Sequence, residues 1–377
     1  MIDFTMFTTD DAFAARCGAM AGEKSLAVDL EADSMHHFKE KVCLIQIADS
    51  SGPFIADPLA ISDVSPLGPV FQDPGITKVF HGADFDIRSL DRDFNIRVNN
   101  LFDTEIACRL LGMPNRSLAA LLKKYFNVDA DKKFQKIDWS KRPLSQEMIV
   151  YSITDVLYLL ELKEILEKRL IEAGRLSWAM EEFQCQANVR HDNNGTDPLF
   201  LKFKGAGKMG KRTLAVLEEL LQMRRKIAKE KDRPLFKVIS SEAIRKMAET
   251  VPGSMAQLNQ LKILSPKQTG MYADACLEAI ARGLDMPDAD CPVYPKTRTP
   301  GLSPDVPQKI KVLKRFRDNL SLKTGIEPGF LINNTLISQL AAEPPHHISD
   351  LAVIPGMKTW QIGFMGNDII RILSTGR

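Results

Sequence analysis

The chain has 377 residues, of which 44% are hydrophobic and 26% charged, with a formal net charge of +2. That length is too great for one ordinary core and favours two or three domains, and the composition excludes a disordered or fibrous chain. No apolar run is long enough to span a bilayer, and the amino terminus has no basic region followed by an apolar stretch, so a chain neither inserted nor exported, in the cytoplasm, is expected.

The first part alternates strand and helix signals. Ser25–Asp29 and Val42–Ala48 are apolar and rich in β-formers, and Phe54–Ala56 follows Gly52-Pro53 as the second arm of a hairpin. Thr77–His81 is another short strand. Asp84–Phe94 reads as a helix with Phe85, Ile87, Leu90 and Phe94 as its apolar positions. Leu101-Phe102 leads into a helix that starts near Asp103, a residue suited to an N-cap, and runs to Leu111. Ser117–Tyr125 and Ser145–Ala173 are helical by periodicity. Strands, then strands mixed with helices, then helices alone describe an α/β layered fold.

Strand signals end near residue 175. Helices are predicted at Leu214–Lys229, Ser241–Thr250, Gln257–Leu261 and Gln268–Arg282. Residues 285–305 carry five prolines and few large apolar residues, which marks a linker, and the helical pattern restarts at Gln308. The two helical segments look alike. Leu217–Arg225 resembles Lys311–Asn319, Ser240–Met247 resembles Asn333–Leu340, and Gly253–Leu264 resembles His346–Pro355. Two diverged copies of one helical module are expected.

Charge is unevenly distributed. Residues 1–110 carry 9 Lys/Arg against 18 Asp/Glu, residues 111–235 carry 24 against 17, and residues 236–377 carry 17 against 13. An acidic first part suits cations and a basic remainder suits a polyanion. The six cysteines are scattered without C-x-x-C spacing, so neither a zinc site nor a disulfide framework is indicated.

Four acids stand in apolar patterns, where a carboxylate is costly unless something positive holds it. Asp29 and Glu31 sit at i and i+2 of a strand and project to one face. Tyr151 and Asp155 sit at i and i+4 of a helix and share a face. Asp86 falls in the first turn of its helix, just after His81-Gly82. Hard divalent cations such as Mg²⁺ or Mn²⁺ take oxygen ligands, and two of them can stabilise both oxygens of an in-line phosphodiester displacement. Asp29, Glu31, Asp86 and Asp155 are therefore the candidate ligands of two cations. Asp29 would bridge, Glu31 and Asp155 would complete the first ion, and Asp86 would hold the second. Tyr151 would orient the attacking water.

These residues resemble a known family. Val28-Asp29-Leu30-Glu31, Val79–Ile87, Leu101–Thr104 and Tyr151–Asp155 are similar to the motifs of DEDD-type 3′–5′ exonucleases of the tyrosine-bearing subgroup. Gln135-Lys136-Ile137-Asp138-Trp139-Ser140-Lys141-Arg142-Pro143-Leu144 is similar to a segment of the ribonuclease D group and its exosome relatives. Residues 209–285 resemble the helical domain shared by RecQ helicases and ribonuclease D (HRDC), and residues 306–377 resemble a second copy. Position 223 is Met where that domain usually has an aromatic residue.

The resemblance implies a ribonuclease H-like mixed sheet flanked by helices over 1–175, a helical and basic connector over 176–208, an HRDC bundle over 209–285, a Pro-rich linker over 286–305 and an HRDC-like bundle over 306–377. It implies an exoribonuclease that trims RNA 3′ ends, transfer-RNA precursors among them; the sequence leaves the oligomeric state open, with a monomer favoured. A DNA exonuclease of the same fold and a non-catalytic nucleic-acid-binding protein are the alternatives.

Other residues carry weaker signals. Lys136, Trp139 and Arg142 could meet phosphates or stack on a base, with a buried Trp139 as the alternative. Leu30, His81 and Gln135 join them as candidate RNA contacts, although His81 reads as structural rather than as a catalytic base. Lys123-Lys124 and Lys132-Lys133 read as a general electrostatic funnel. Gly205–Lys211 matches G-x-x-x-x-G-K, but Arg212 follows where a phosphate loop needs Ser or Thr, so no nucleotide cofactor is expected.

Overall fold

The computed structural model describes residues 3–130, 133–192, 198–295 and 303–375. Lys132 and the 296–302 part of the linker lie outside these. The described chain forms two compact units. One contains residues up to Ala32, Val42–His191 and the carboxy-terminal residues from the linker on, and the other contains Asp33–Lys41 and Asp192 to the linker.

In the first unit a six-stranded mixed sheet has the order β1-β4-β3-β2-β5-β6, formed by β1 Thr5–Phe7, β2 Ser25–Ala32, β3 Val42–Asp49, β4 Gly52–Ala56, β5 Thr77–Phe80 and β6 Leu101–Asp103. β2, β3 and β4 are antiparallel neighbours, while β1, β5 and β6 join in parallel. Every residue of β3 is buried, as expected of a central strand covered on both faces. One face carries Leu26, Val28, Leu30, Ile45 and Ile47 into a core with Phe13, Phe71 and Phe80. The other face is covered by helices Gln146–Leu157 and Leu159–Glu172.

The single helix predicted over Ser145–Ala173 is thus two. The chain breaks at Tyr158, whose φ of −107° lies outside the helical range, and its ring packs on Phe126 at 5.1 Å. β1 escaped the sequence reading because three residues are too few for a periodicity test.

The two helical copies correspond element by element. Helices Lys211–Glu230, Leu235–Val238, Ser241–Thr250, Met255–Gln260 and Pro266–Asp285 are matched by Val306–Thr324, Pro328–Leu331, Asn334–Ala342, Ile348–Ala352 and Thr359–Thr375. Equivalent residues keep a constant offset of 93. Arg224 donates to the carbonyl of Ile239, and Arg317 to that of Ile332. The Gln268 amide donates to Val238 O, and the Gln361 amide to Leu331 O. N-caps Ser240 and Asn333 hold the same place. This corrects the expected pairing of Leu217 with Lys311 by one residue: the partner is Ile310, and the arginines then align.

The second copy shares its core with the nuclease helices. Leu313, Ile326, Leu331 and Trp360 join Leu110, Leu162, Leu166 and Phe183 in one apolar cluster. Gly112 and Gly325, both with positive φ, meet so closely that a Cβ on Gly112 would lie 2.9 Å from the Thr324 carbonyl oxygen. The Glu181 carboxylate accepts the N–H groups of Thr359 (2.7 Å) and Trp360 (2.9 Å), capping a helix end that otherwise leaves those donors unpaired.

Candidate active site

Strand β2 places the first two acids. Leu26, Val28 and Leu30 point into the core, so Asp29 and Glu31 point to the opposite face, beneath helix Gln146–Leu157. Ile153 and Val156 anchor that helix, while Tyr151 and Asp155 look back at β2. One carboxylate oxygen from each of Asp29, Glu31 and Asp155 can be chosen so that all three lie within 4.8 Å of one another. Asp86, in the first turn of helix Asp84–Phe94, lies outside that trio but is electrostatically coupled to Asp29 and Glu31. Strand, helix and helix terminus therefore bring together acids separated by up to 126 positions in the chain.

The cluster is under electrostatic tension. Desolvation pushes the Asp29 carboxyl up to about 7; desolvation, then repulsion from Asp29, pushes Asp155 up to about 8, and desolvation with repulsion from neighbouring acids holds Glu31 and Asp86 well above the usual range. Among the described residues no Lys or Arg forms an ion pair with any of the four. A half-buried acid cluster without a cationic side chain fits the requirements of a hard metal ion. The Tyr151 hydroxyl hydrogen-bonds Asp155, and burial with three nearby acids raises its own ionisation, so the phenol keeps its proton.

The supporting structure explains why Asp86 sits where it does. Gly82 has φ +73°, turning the chain sharply between β5 and the helix. Asp103 clamps that turn. Its carboxylate accepts from Gly82 N and Ala83 N (2.9 and 2.8 Å) and from Glu105 N and Ile106 N (2.8 and 3.2 Å). It caps its own helix as expected and also fixes the start of the helix bearing Asp86. His81 bonds Thr104 Oγ1 at 2.8 Å, and burial lowers its basicity, so it is a neutral brace of the same turn.

Several candidate RNA contacts are corrected. Trp139 is 1% exposed, packed with Cys43, Leu44, Ile55 and Ile153 and stacked near Tyr151, so no base can stack on it. The Arg142 guanidinium grips Asp57 through Nε (2.7 Å) and Nη2 (2.6 Å) and donates to the Cys43 and Trp139 carbonyls. It locks the 133–142 segment to the sheet and is not available as a phosphate ligand. The Leu30 side chain is buried on the face away from the acids. Gln135 and Lys136 are exposed on the 133–142 segment, and His81 serves the turn rather than a ligand. Met223, in place of an aromatic, is core of the first helical copy. Among the described residues the Gly205–Lys211 stretch follows a 3₁₀ helix, Leu199–Lys202, rather than a strand, and contains a short 3₁₀ turn of its own, which is not a phosphate-binding loop.

One residue was missed. Gln46 is directly opposite Asp29 in the β2–β3 ladder and so shares its face. It is fully buried, and neither atom of its amide has a hydrogen-bond partner. A lone Gln inside the apolar run Val42–Ala48 was the available signal.

Comparison with known proteins agrees with this geometry. The 3′–5′ exonuclease family model matches residues 4–171, and the HRDC domain model matches twice, at 213–280 and 308–373. Sheet, acids and helical modules together define a 3′–5′ exoribonuclease of a metal-dependent class. The chain is 27% identical to ribonuclease D of Jannaschia sp. over 97% of its own length and 94% of that protein's. It matches the crystal structure of Escherichia coli RNase D with a TM-score of 0.77 at 25% identity, covering 99% of both chains. It also matches the catalytic core of RRP6 from Trypanosoma brucei, with a TM-score of 0.64 at 29% identity over 75% of this chain and 80% of that one. The chain thus carries a 3′–5′ exonuclease domain followed by two HRDC domains and is similar to ribonuclease D along nearly its whole length.

Proposed function

We propose that the acid cluster hydrolyses the terminal phosphodiester of RNA from the 3′ end, releasing nucleoside 5′-monophosphates with the help of two Mg²⁺ or Mn²⁺ ions. The observation that carries this is the convergence of Asp29, Glu31 and Asp155 within one ligand sphere, with Asp86 beside it and, among the described residues, no cationic side chain neutralising them. Asp29, Glu31 and Asp155 would hold one ion, and Asp29 with Asp86 a second. When bound, such ions polarise the phosphate and lower the pKa of water. Tyr151, protonated and tethered to Asp155, would position the attacking water through its phenol oxygen. Asp103 would keep Asp86 at its place in the cluster through the turn it clamps.

Structured RNA, with transfer-RNA precursors as the expected case, is the substrate class. The E. coli relative is described as an exoribonuclease involved in structured RNA processing, and the basic 111–235 stretch favours a polyanion. The test is release of mononucleotides from single-stranded RNA and DNA with Mg²⁺, with Mn²⁺ and with EDTA, for the native chain and Asp29→Asn. RNA cleavage that needs the metal and is lost in the variant, while RNA binding is retained, is expected. Turnover that survives either EDTA or Asp29→Asn would remove the assignment, and a preference for DNA would remove the substrate.

A further inference from the structure

The second compact unit contains a cavity of about 770 Å³ that the nuclease reaction does not use. Its walls are apolar: Phe38, Leu199, Phe203, Leu221 and Leu235. Its polar lining is strongly one-sided, with Lys202, Lys204, Arg224, Arg225 and Arg245 against the single acid Glu242. The size is that of a small-molecule site. Aromatic walls with guanidinium groups among them match a nucleobase attached to a phosphodiester.

Two observations set this cavity apart from a general basic surface. Arg224 is 6% exposed, and its Nε has no hydrogen-bond partner although Nη1 donates to the Ile239 carbonyl (3.1 Å). The Nε of Arg245 is likewise buried without a partner, while its Nη2 donates to Lys204 O and its guanidinium lies 5.8 Å from the Phe203 ring centre. Burying unpaired donors costs stability, so their presence points to an acceptor supplied from outside.

The second helical copy is a built-in control. At the constant offset of 93, Arg225 becomes Asp318, Arg245 becomes Ser338 and Leu221 becomes Lys314. Arg317, the equivalent of Arg224, has its Nε paired with Asp318 at 3.1 Å. The scaffold therefore folds without these cations, and the first copy carries them for another reason.

We propose that the cavity of the first helical module seats one unpaired nucleotide of an RNA strand, its base against Phe38, Phe203 and Leu221 and its phosphate on Arg225 and Arg245. The second module lacks these residues. The proposal rests on the reading that the chain acts on RNA and names where the first module grips it.

The test uses the full chain in EDTA, so that RNA is bound and not cut. Arg225→Asp and Arg245→Ser together install the residues that the second module already tolerates. Fluorescence anisotropy measures affinity for a labelled single-stranded oligoribonucleotide and for a blunt, fully paired RNA duplex. Single-strand affinity should fall at least tenfold and the salt dependence should weaken, while duplex affinity changes less than threefold. Equal loss on both RNAs, or no loss, overturns the proposal.

A measurement on the unaltered chain guards against a folding defect in the variant. Photo-crosslinking with 5-iodouridine RNA should label Phe38 or Phe203, and crosslinks confined elsewhere also overturn the proposal. Hydrolysis of a small chromogenic phosphodiester with Mn²⁺ should be unchanged in the double variant. Its absence in the native chain would count against the nuclease reading alone.

Discussion

Removing a negative charge from the acid cluster should make the metal-free protein more stable. The Asp29 carboxyl, shifted from an ordinary 3.8 to about 7, carries a penalty of about 4 kcal/mol when ionised, at about 1.36 kcal/mol per pH unit. Asp29 keeps some solvent contact, which trims the figure to about 2–4 kcal/mol. The sign follows from linkage. Because the folded-state pKa is raised, the stability is fully present below about 4 and is lost as pH rises through about 7. Asp29→Asn escapes that loss. In EDTA at pH 8 its nuclease-containing unit should melt roughly 5–10 °C above the native protein, and the gap should close by pH 4. Adding Mn²⁺ should reverse the order, because ligand binding stabilises only the chain that can hold it. Calorimetry or circular dichroism at several pH values with and without Mn²⁺ makes the comparison. A variant no more stable than native at pH 8 in EDTA, or equal stabilisation of both by Mn²⁺, would refute the idea that these carboxylates are held charged together for a cation.

Other perturbations separate chemistry from scaffold. Tyr151→Phe removes only the hydroxyl tethered to Asp155; kcat should drop by about 10- to 100-fold with RNA affinity and Mn²⁺ stabilisation intact, and an unchanged kcat would dismiss the tyrosine from catalysis. Gln46→Leu should raise metal-free stability by about 1–2 kcal/mol, since the amide is buried without partners, yet lower turnover because the group facing Asp29 is gone; full activity would mean that Gln46 is merely tolerated. Trp139→Ala should cost about 3–5 kcal/mol of stability as a core deletion. A folded variant whose only defect is weaker RNA binding would show that the burial argument is wrong. Gly283→Ala places a Cβ 2.5 Å from Val216 Cα, and should destabilise the first helical module by about 1–3 kcal/mol; an unaltered melting profile would contradict the close helix approach.

What the sequence made legible follows from how local each signal is. Asp29 and Glu31 could be placed together because strand alternation is a two-residue rule, and Tyr151 and Asp155 because helix geometry is a four-residue rule. Their meeting across 126 positions was legible only through the resemblance, since no local rule states which helix covers which strand. Trp139 and Arg142 were misplaced for the opposite reason. A cation and an aromatic in an irregular segment look like an RNA surface until Asp57, 85 positions away, proves to be the arginine's partner. Asp103 was recognised as a cap from its neighbours, but its hold on Gly82 and Ala83 depends on a sheet pairing that the sequence does not spell out.

The internal repeat shows how one scaffold is put to two uses. The bracket of Arg224 or Arg317 across the short helix, and of Gln268 or Gln361 back to it, is identical in both copies, so it belongs to the fold. What differs is the outer surface. In the second copy Trp360 donates to Glu182 at 2.8 Å and stacks on Trp178 at 4.8 Å, Lys358 pairs with the same Glu182, and Glu327 pairs with Arg116. These contacts bind it to the exonuclease helices and leave its counterpart positions as Asp318 and Ser338. The first copy has different residues at the docking positions: Ser265 stands where the second has Lys358, and Lys267 where the second has Trp360. It lacks the residues of that dock and has cations around its cavity. One bracketed scaffold thus carries two different outer faces: in the second copy it serves the contacts to the exonuclease helices, and in the first it lines a cavity with cations.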